Sequence, residues 1–393
     1  MVNLDFPVGI WEFHKDGNFN FQFNRTTAHG GHLDEIREMA SKVTDIPSYI
    51  RLMEEAEVKA RNNGDRKAEM AYLRAHEFFT TAEQGKAEKY QKWKKLFYES
   101  NEQLMKDYQV QYAEVPYENG FLPVMYAVQE HPKGVVVIHG GYDSYYEEHL
   151  KIALHMYRNG YSAYIFEGPG QGSVIYEQNI PFTHEWEKPV GAVLDYFHLE
   201  DVALMGISLG SLLCRRAAAK EKRIKYVCSV GMQTNLYEST LNRMPGSFRE
   251  KVAEAMNAGD KNLVNELMHD LMSKAYIYEW YINQGLHVFG VETPYDYLKK
   301  AQLFSLEGIE DQIDQDFLLV SGSKDHFMPM SDTQKEIDRM PAVRSFTLRI
   351  VMPPEKGENH CNIGNRKLMI DVFMAWLEET RREHTIAAEE GWL

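Results

Sequence analysis

The sequence predicts an α/β protein: a mostly parallel central sheet with helices on both faces, a helical cap before it and a helical insertion after its sixth strand. Three observations point there. Short apolar runs alternate with helical stretches between residues 135 and 351. One of those runs leads directly into a serine flanked by glycines. Two long segments, 34–104 and 236–306, carry helical spacing and few strand signals.

A chain of 393 residues is long for one average domain, so one large domain with accessory segments is expected. The boundaries read as 1–107 for the cap, 108–235 and 307–393 for the core, and 236–306 for the insertion, a lid. Hydrophobic residues at 44% and charged residues at 26% make an ordinary globular composition. A net charge of −15 without a basic stripe excludes a nucleic-acid partner. Cys214, Cys228 and Cys361 are too scattered for a disulfide framework or a CxxC metal site and read as reduced thiols. The opening Met1-Val2-Asn3-Leu4-Asp5-Phe6-Pro7 has no basic-then-apolar leader pattern. No apolar run approaches the roughly 18 residues of a membrane span. A cytoplasmic protein without a membrane partner is expected.

In the cap, Tyr49, Leu52, Met53, Ala56 and Ala60 follow helical spacing, Asn62-Asn63-Gly64-Asp65 ends the helix, and Ala68, Ala71, Tyr72, Ala75, Phe78 and Phe79 mark a second. Residues 108–117 and 121–129 alternate like strands and form a hairpin turning at Asn119-Gly120. The short runs at 135–139, 163–166, 202–207, 226–230, 317–320 and 346–351 are mostly apolar and separated by helical stretches, which points to a parallel sheet covered on both faces. Between residues 236 and 306 a loop would be improbably long, so a helical insertion is expected over the C-terminal sheet edge, where α/β proteins bind ligands. Its Met244, Met256, Met268 and Met272 suit either a pliable apolar wall or plain packing. Its Tyr276, Tyr278, Trp280, Tyr281 and Phe289 line a pocket or pack beside it.

Gly206-Ile207-Ser208-Leu209-Gly210 sits between an apolar strand and a helical stretch. A sharp turn there needs small residues on both sides so that the serine hydroxyl stands clear of the sheet. Asp325, after the run at 317–320, and His360, after the run at 346–351, follow in the order acid then base at the same sheet edge. Ser208 is therefore the candidate nucleophile, His360 its base and Asp325 the acid. Of the other histidines, His326 follows the acid, His139 ends the third strand, and His29 and His32 read as surface residues without a third metal ligand. The oxyanion hole needs two backbone N–H groups: one from Leu209, the other from Gly141 or Tyr142 in the loop His139-Gly140-Gly141-Tyr142-Asp143-Ser144. Glu167-Gly168-Pro169-Gly170-Gln171-Gly172 is GxGxG rather than GxGxxG and reads as a tight turn, so no cofactor or metal is expected.

Read together, these motifs resemble one branch of the α/β-hydrolases, which holds 2,6-dihydroxypseudooxynicotine hydrolase, fungal polyketide-shortening hydrolases of the yellowish-green pigment type and FrsA-like esterases. Tyr72-Leu73-Arg74-Ala75, Gly285-Leu286-His287-Val288-Phe289-Gly290 and Glu358-Asn359-His360-Cys361-Asn362-Ile363-Gly364-Asn365 complete the resemblance, which runs from about Tyr49 to Leu377. It implies cofactor-free hydrolysis, in some members of a carbon–carbon bond beside a ketone. It also implies a substrate-positioning glutamate, for which Glu238 is the nearest candidate; Glu238 equally follows the sixth strand, where some relatives carry the triad acid. A homodimer is a family-level expectation.

The expected activity is cleavage of an ester-type acyl bond in a small or medium, largely apolar molecule through an acyl-enzyme. The alternatives are C–C hydrolysis of a β-diketone or polyketide-like substrate, an acylaminoacyl-peptidase-like activity, and a non-catalytic receptor on the same scaffold.

Overall fold

A computed structural model describes residues 4–390, so Met1, Val2 and Asn3 of the opening stretch lie outside the described residues. The chain begins with α1 (Gly17–His29), α2 (Leu33–Ala40), α3 (Ile46–Asn62), α4 (Arg66–Phe79) and α5 (Lys86–Asp107). Aspartates start three of them: Asp16, Asp45 and Asp65 accept hydrogen bonds from the first-turn N–H groups of α1, α3 and α4. Helix α3 buries the expected stripe of Tyr49, Leu52, Met53, Ala56 and Ala60.

Helix α4 is buried almost all round, so its polar residues need partners inside. Arg74 donates to Glu77, to Glu148 and to the carbonyl of Asp143, while Lys86 stands 3.0 Å from Glu77. This charged cluster fastens the helical segment to the loop that follows the third strand.

Helix α1 has no counterpart among the expected elements. Its Phe19, Phe21 and Phe23 alternate with asparagine and glutamine, which mimics a strand. In the helix Phe19 and Phe23 share one buried side, Phe19 stacking on Tyr49 and Phe23 tilted against it.

The sheet follows as β1 (Gln111–Tyr117), β2 (Gly120–Ala127), β3 (Val135–His139), then α6 (Leu150–Arg158), β4 (Ser162–Phe166), α7 (Gly172–Tyr176), α8 (Glu187–Phe197), β5 (Val202–Ile207), α9 (Gly210–Lys220) and β6 (Ile224–Val230). The insertion comprises α10 (Leu236–Asn242), α11 (Gly246–Ala258), α12 (Lys261–Lys274), α13 (Tyr276–Val288) and α14 (Pro294–Ala301). Its two ends meet where Leu236 N–H donates to the Phe304 carbonyl at 3.0 Å. The chain closes with β7 (Asp316–Gly322), α15 (Met330–Arg339), β8 (Ser345–Val351) and α16 (Arg366–Glu389).

Spatially the eight strands run β1-β2-β4-β3-β5-β6-β7-β8, with β1–β2 and β2–β4 antiparallel and the rest parallel. Along β5, Val202 and Leu204 join one apolar cluster while Ala203, Met205 and Ile207 join the other, on the opposite face. The hairpin turn is one residue earlier than expected. Tyr117 pairs with Gly120, leaving Glu118 and Asn119 as the loop, with Glu118 at φ +49°. The cysteines are free. Among the described residues no helix is long and apolar enough to cross a membrane, and no cluster of three or more metal-ligating side chains occurs.

Candidate active site

Ser208 occupies the turn between β5 and α9 at φ +63°, a left-handed conformation that few non-glycine residues adopt. Crowding explains both flanking glycines. A Cβ on Gly206 would stand 2.0 Å from the Gly210 carbonyl oxygen, and one on Gly210 would stand 2.6 Å from that of Gly140. Ser208 N–H donates to the Val230 carbonyl at 3.1 Å, tying the turn to β6.

Two loops from the far half of the sheet bring the other groups to this point. His360 Nε2 lies 2.9 Å from Ser208 Oγ, and His360 Nδ1 lies 2.8 Å from Asp325 Oδ2. Asp325 is itself fixed: its Oδ1 accepts from the Phe327 and Met328 N–H groups at 2.9 Å each. The loops after β7 and β8 touch, since a Cβ on Gly322 would sit 2.3 Å from the Glu358 carbonyl oxygen. Cys361 and Asn362, both at positive φ, make the bend that aims His360 back at the sheet edge.

Charge and burial pull against each other here. Burial alone would raise the Asp325 carboxyl, but the His360 charge and hydrogen bond outweigh it and hold the pKa below the ordinary 3.8. Burial would lower His360, yet the Asp325 carboxylate raises it well above the ordinary 6.5.

On the other side of Ser208, Gly141 presses onto the turn: a Cβ there would meet Leu209 N at 2.6 Å and the Ile207 oxygen at 2.8 Å. Gln171 Nε2 donates to the Gly141 carbonyl at 3.1 Å, which gives the GxGxG turn after β4 a function in holding this loop. Gly141 spends its own N–H on Ser144 Oγ at 3.1 Å. The N–H groups of Tyr142 and Leu209 donate to no other described residue.

A cavity opens over Ser208 and His360. Helix α1 contributes Phe21 and Arg25, α4 contributes Phe78, and the insertion contributes Arg243, Trp280 and Tyr281. Arg25 pairs with Glu148 at 2.9 Å. Burial would raise Glu148, but Arg25 and Arg74 hold its carboxyl well below the usual range.

A family model described as the alpha/beta hydrolase fold matches residues 134–351. The chain belongs to the alpha/beta hydrolase family. Among curated proteins, the hydrolase is 29% identical to Hydrolase LUC6 of Fusarium sp over 300 residues, 70% of this chain and 71% of the relative. It is also 29% identical to the 20-hydroxy-prefusarin hydrolase FUS2 of Gibberella moniliformis over 299 residues, 70% of this chain and 71% of the relative. Among solved structures it resembles 2,6-dihydroxy-pseudo-oxynicotine hydrolase, with a TM-score of 0.61 at 19% identity, covering 91% of this chain and 95% of that one. AbyA5 matches with a TM-score of 0.63 at 15% identity over 91% and 93% of the two chains. These two likenesses are of fold. The protein is an enzyme, a hydrolase.

The hydrolase brings Ser208, Asp325, His360, Leu209, Gly141 and Tyr142 together, and leaves Glu238 apart. Glu238 is exposed in the first turn of α10, its N–H capped by Asn235, and does not line the cavity. His32 is exposed beside Asp65, but His29 is not a surface residue: it lies half-buried 4.0 Å from Glu148. His139 is buried, and the His326 ring lies tilted beside Phe327, both lining a neighbouring cavity. Of the insertion's aromatics, Trp280 and Tyr281 line the cavity, Tyr278 lines its neighbour, and Tyr276 stacks on Phe19. Met256 and Met268 are packed in the core, while Met244 lines the neighbouring cavity.

Phe21, Arg25 and Arg243 have no counterpart among the residues singled out in the sequence, and Phe78 appears there only as part of a helical packing stripe. Nothing in their own spacing sets them apart from packing residues.

Proposed function

We propose that this hydrolase cleaves an ester-type acyl bond through an acyl-enzyme, with Ser208 as nucleophile, His360 as general base and then acid, and Asp325 as the group that holds the imidazole. The single observation carrying this is the 2.9 Å contact of Ser208 Oγ with His360 Nε2 inside the cavity. His360 takes the serine proton as the oxygen attacks the carbonyl, returns it to the leaving oxygen, and repeats the exchange with water. The carbonyl oxygen, now an oxyanion, accepts from the N–H groups of Leu209 and Tyr142. Gly141 is assigned a shaping part, because its N–H already serves Ser144.

Cleavage of a carbon–carbon bond needs a proton delivered to a carbanion. FUS2 is named a 20-hydroxy-prefusarin hydrolase, and the motifs' resemblance to a branch that in some members cleaves a carbon–carbon bond beside a ketone keeps that reaction as the competitor. It lacks the support expected of Glu238, which stands outside the cavity. Turnover of a panel of aryl esters and β-diketones by the native enzyme and by Ser208→Ala tests the reading. Ester hydrolysis that falls by about four to six decades in the variant supports it; diketone turnover without ester turnover sinks it.

A further inference from the structure

We infer that Arg243 is a specificity-determining residue that receives a carboxylate on the acyl portion of the substrate. The inference rests on the acyl-transfer reading above. Arg243 follows α10 directly and is half-buried. Its guanidinium lies over the Tyr281 ring at 4.9 Å and the Phe327 ring at 5.3 Å, and its Nη2 donates to the Phe327 carbonyl at 3.1 Å. A guanidinium offers five N–H groups, and this is the single hydrogen bond the side chain makes among the described residues.

The other two arginines of the cavity stand at Glu148: Arg25 is paired with its carboxylate at 2.9 Å, and Arg366 donates to its backbone carbonyl at 3.5 Å within the field of the same carboxylate. Arg243 forms no ion pair with a described residue, so its charge is left facing the cavity. Desolvating a guanidinium without an anion is unfavourable, and aromatic faces compensate only in part. A ligand carboxylate supplies what is missing, in the forked geometry that arginine favours.

The position suits a substrate group rather than the reacting carbonyl. The Phe327 ring lies 5.0 Å from the His360 ring, so the two distances in series put the guanidinium no more than 10.3 Å from the imidazole. A second cavity meets the first at Arg243, Trp280, Tyr281 and Phe327, so the arginine stands at the junction of the two spaces. An acyl chain of about five carbons, at roughly 1.5 Å per bond, extends about 7 Å before its carboxylate makes a hydrogen bond, a span of the order of the separation between guanidinium and imidazole. The chain as a whole carries −15 and repels anions, which makes this local positive group decisive for their entry.

The test compares p-nitrophenyl valerate with the mono-p-nitrophenyl ester of glutaric acid, two five-carbon acyl groups differing in a terminal carboxylate. The native enzyme should favour the anionic ester in kcat/KM, chiefly through KM. Arg243→Gln should reduce that preference about 10- to 100-fold, and Arg243→Lys should retain part of it. Calorimetry on Ser208→Ala reads the same preference in binding, without turnover and with the arginine intact, should Arg243→Gln fail to fold. Equal binding of the two esters by Ser208→Ala, or a ratio unmoved in a folded Arg243→Gln, overturns the inference. If the native enzyme turns over neither these nor the other aryl esters while accepting a β-diketone, the acyl-transfer reading fails, while the calorimetric preference still decides the role of Arg243.

Discussion

Asp325 Oδ2 stands 2.8 Å from His360 Nδ1, and the same carboxylate is held from behind by two backbone N–H groups. The imidazole is thereby oriented with Nε2 toward Ser208. Its proton affinity also rises, and this has a signed consequence. A general base works only when neutral, so a raised pKa moves the acidic limb of kcat/KM above the ordinary 6.5. Asp325→Asn removes the raising charge and leaves the burial that lowers the pKa. The limb should then move to lower pH, with kcat down by roughly three to four decades. A pH–rate series on both proteins checks direction and size together.

Gly141 gives a second expectation. Gly141→Ala would drive a methyl group into Leu209 N and the Ile207 oxygen, displacing the backbone proposed to form the oxyanion site. We expect kcat to fall about 100- to 1000-fold with KM little changed. Circular dichroism should show a folded protein.

Glu238 separates the two chemistries. It is exposed, and its place at the start of α10 contributes only a favourable helix-end charge of roughly 0.3–1 kcal/mol. Glu238→Gln should therefore leave turnover of any accepted substrate within about twofold. A loss of several decades would restore it as a positioning acid.

Arg74 links the helical segment to the loop that carries Tyr142. Arg74→Met leaves Glu148 and Glu77 short of a buried counter-charge, so a loss of about 3–5 kcal/mol is expected in urea unfolding. Activity should fall with it, because Arg74 also donates to the Asp143 carbonyl at 2.6 Å.

The strands and the elbow were legible because their signals are local. Each apolar run from β3 to β8 is covered on both faces or packed at one, and the glycines around Ser208 answer to crowding within five residues. The order of Ser208, Asp325 and His360 was legible because parallel strands return every loop of one kind to the same edge. The roof of the cavity was not. Phe21 lies on a helix whose sequence alternates like a strand, and the isolation of Arg243 depends on where Glu148 goes, which no spacing reveals. Glu238 matches by position the glutamate that the resemblance implies, but position along the chain does not reveal that the first turn of α10 faces it to solvent.

Covalent labelling of Ser208 is the most direct measurement. The native hydrolase is treated with a fluorophosphonate, digested, and mapped by mass spectrometry beside Ser208→Ala and His360→Ala. Stoichiometric modification of the peptide bearing Ser208, lost in the first variant and slowed by orders of magnitude in the second, is the predicted result. An unmodified Ser208 in an enzyme that still turns over its substrate would contradict the mechanism.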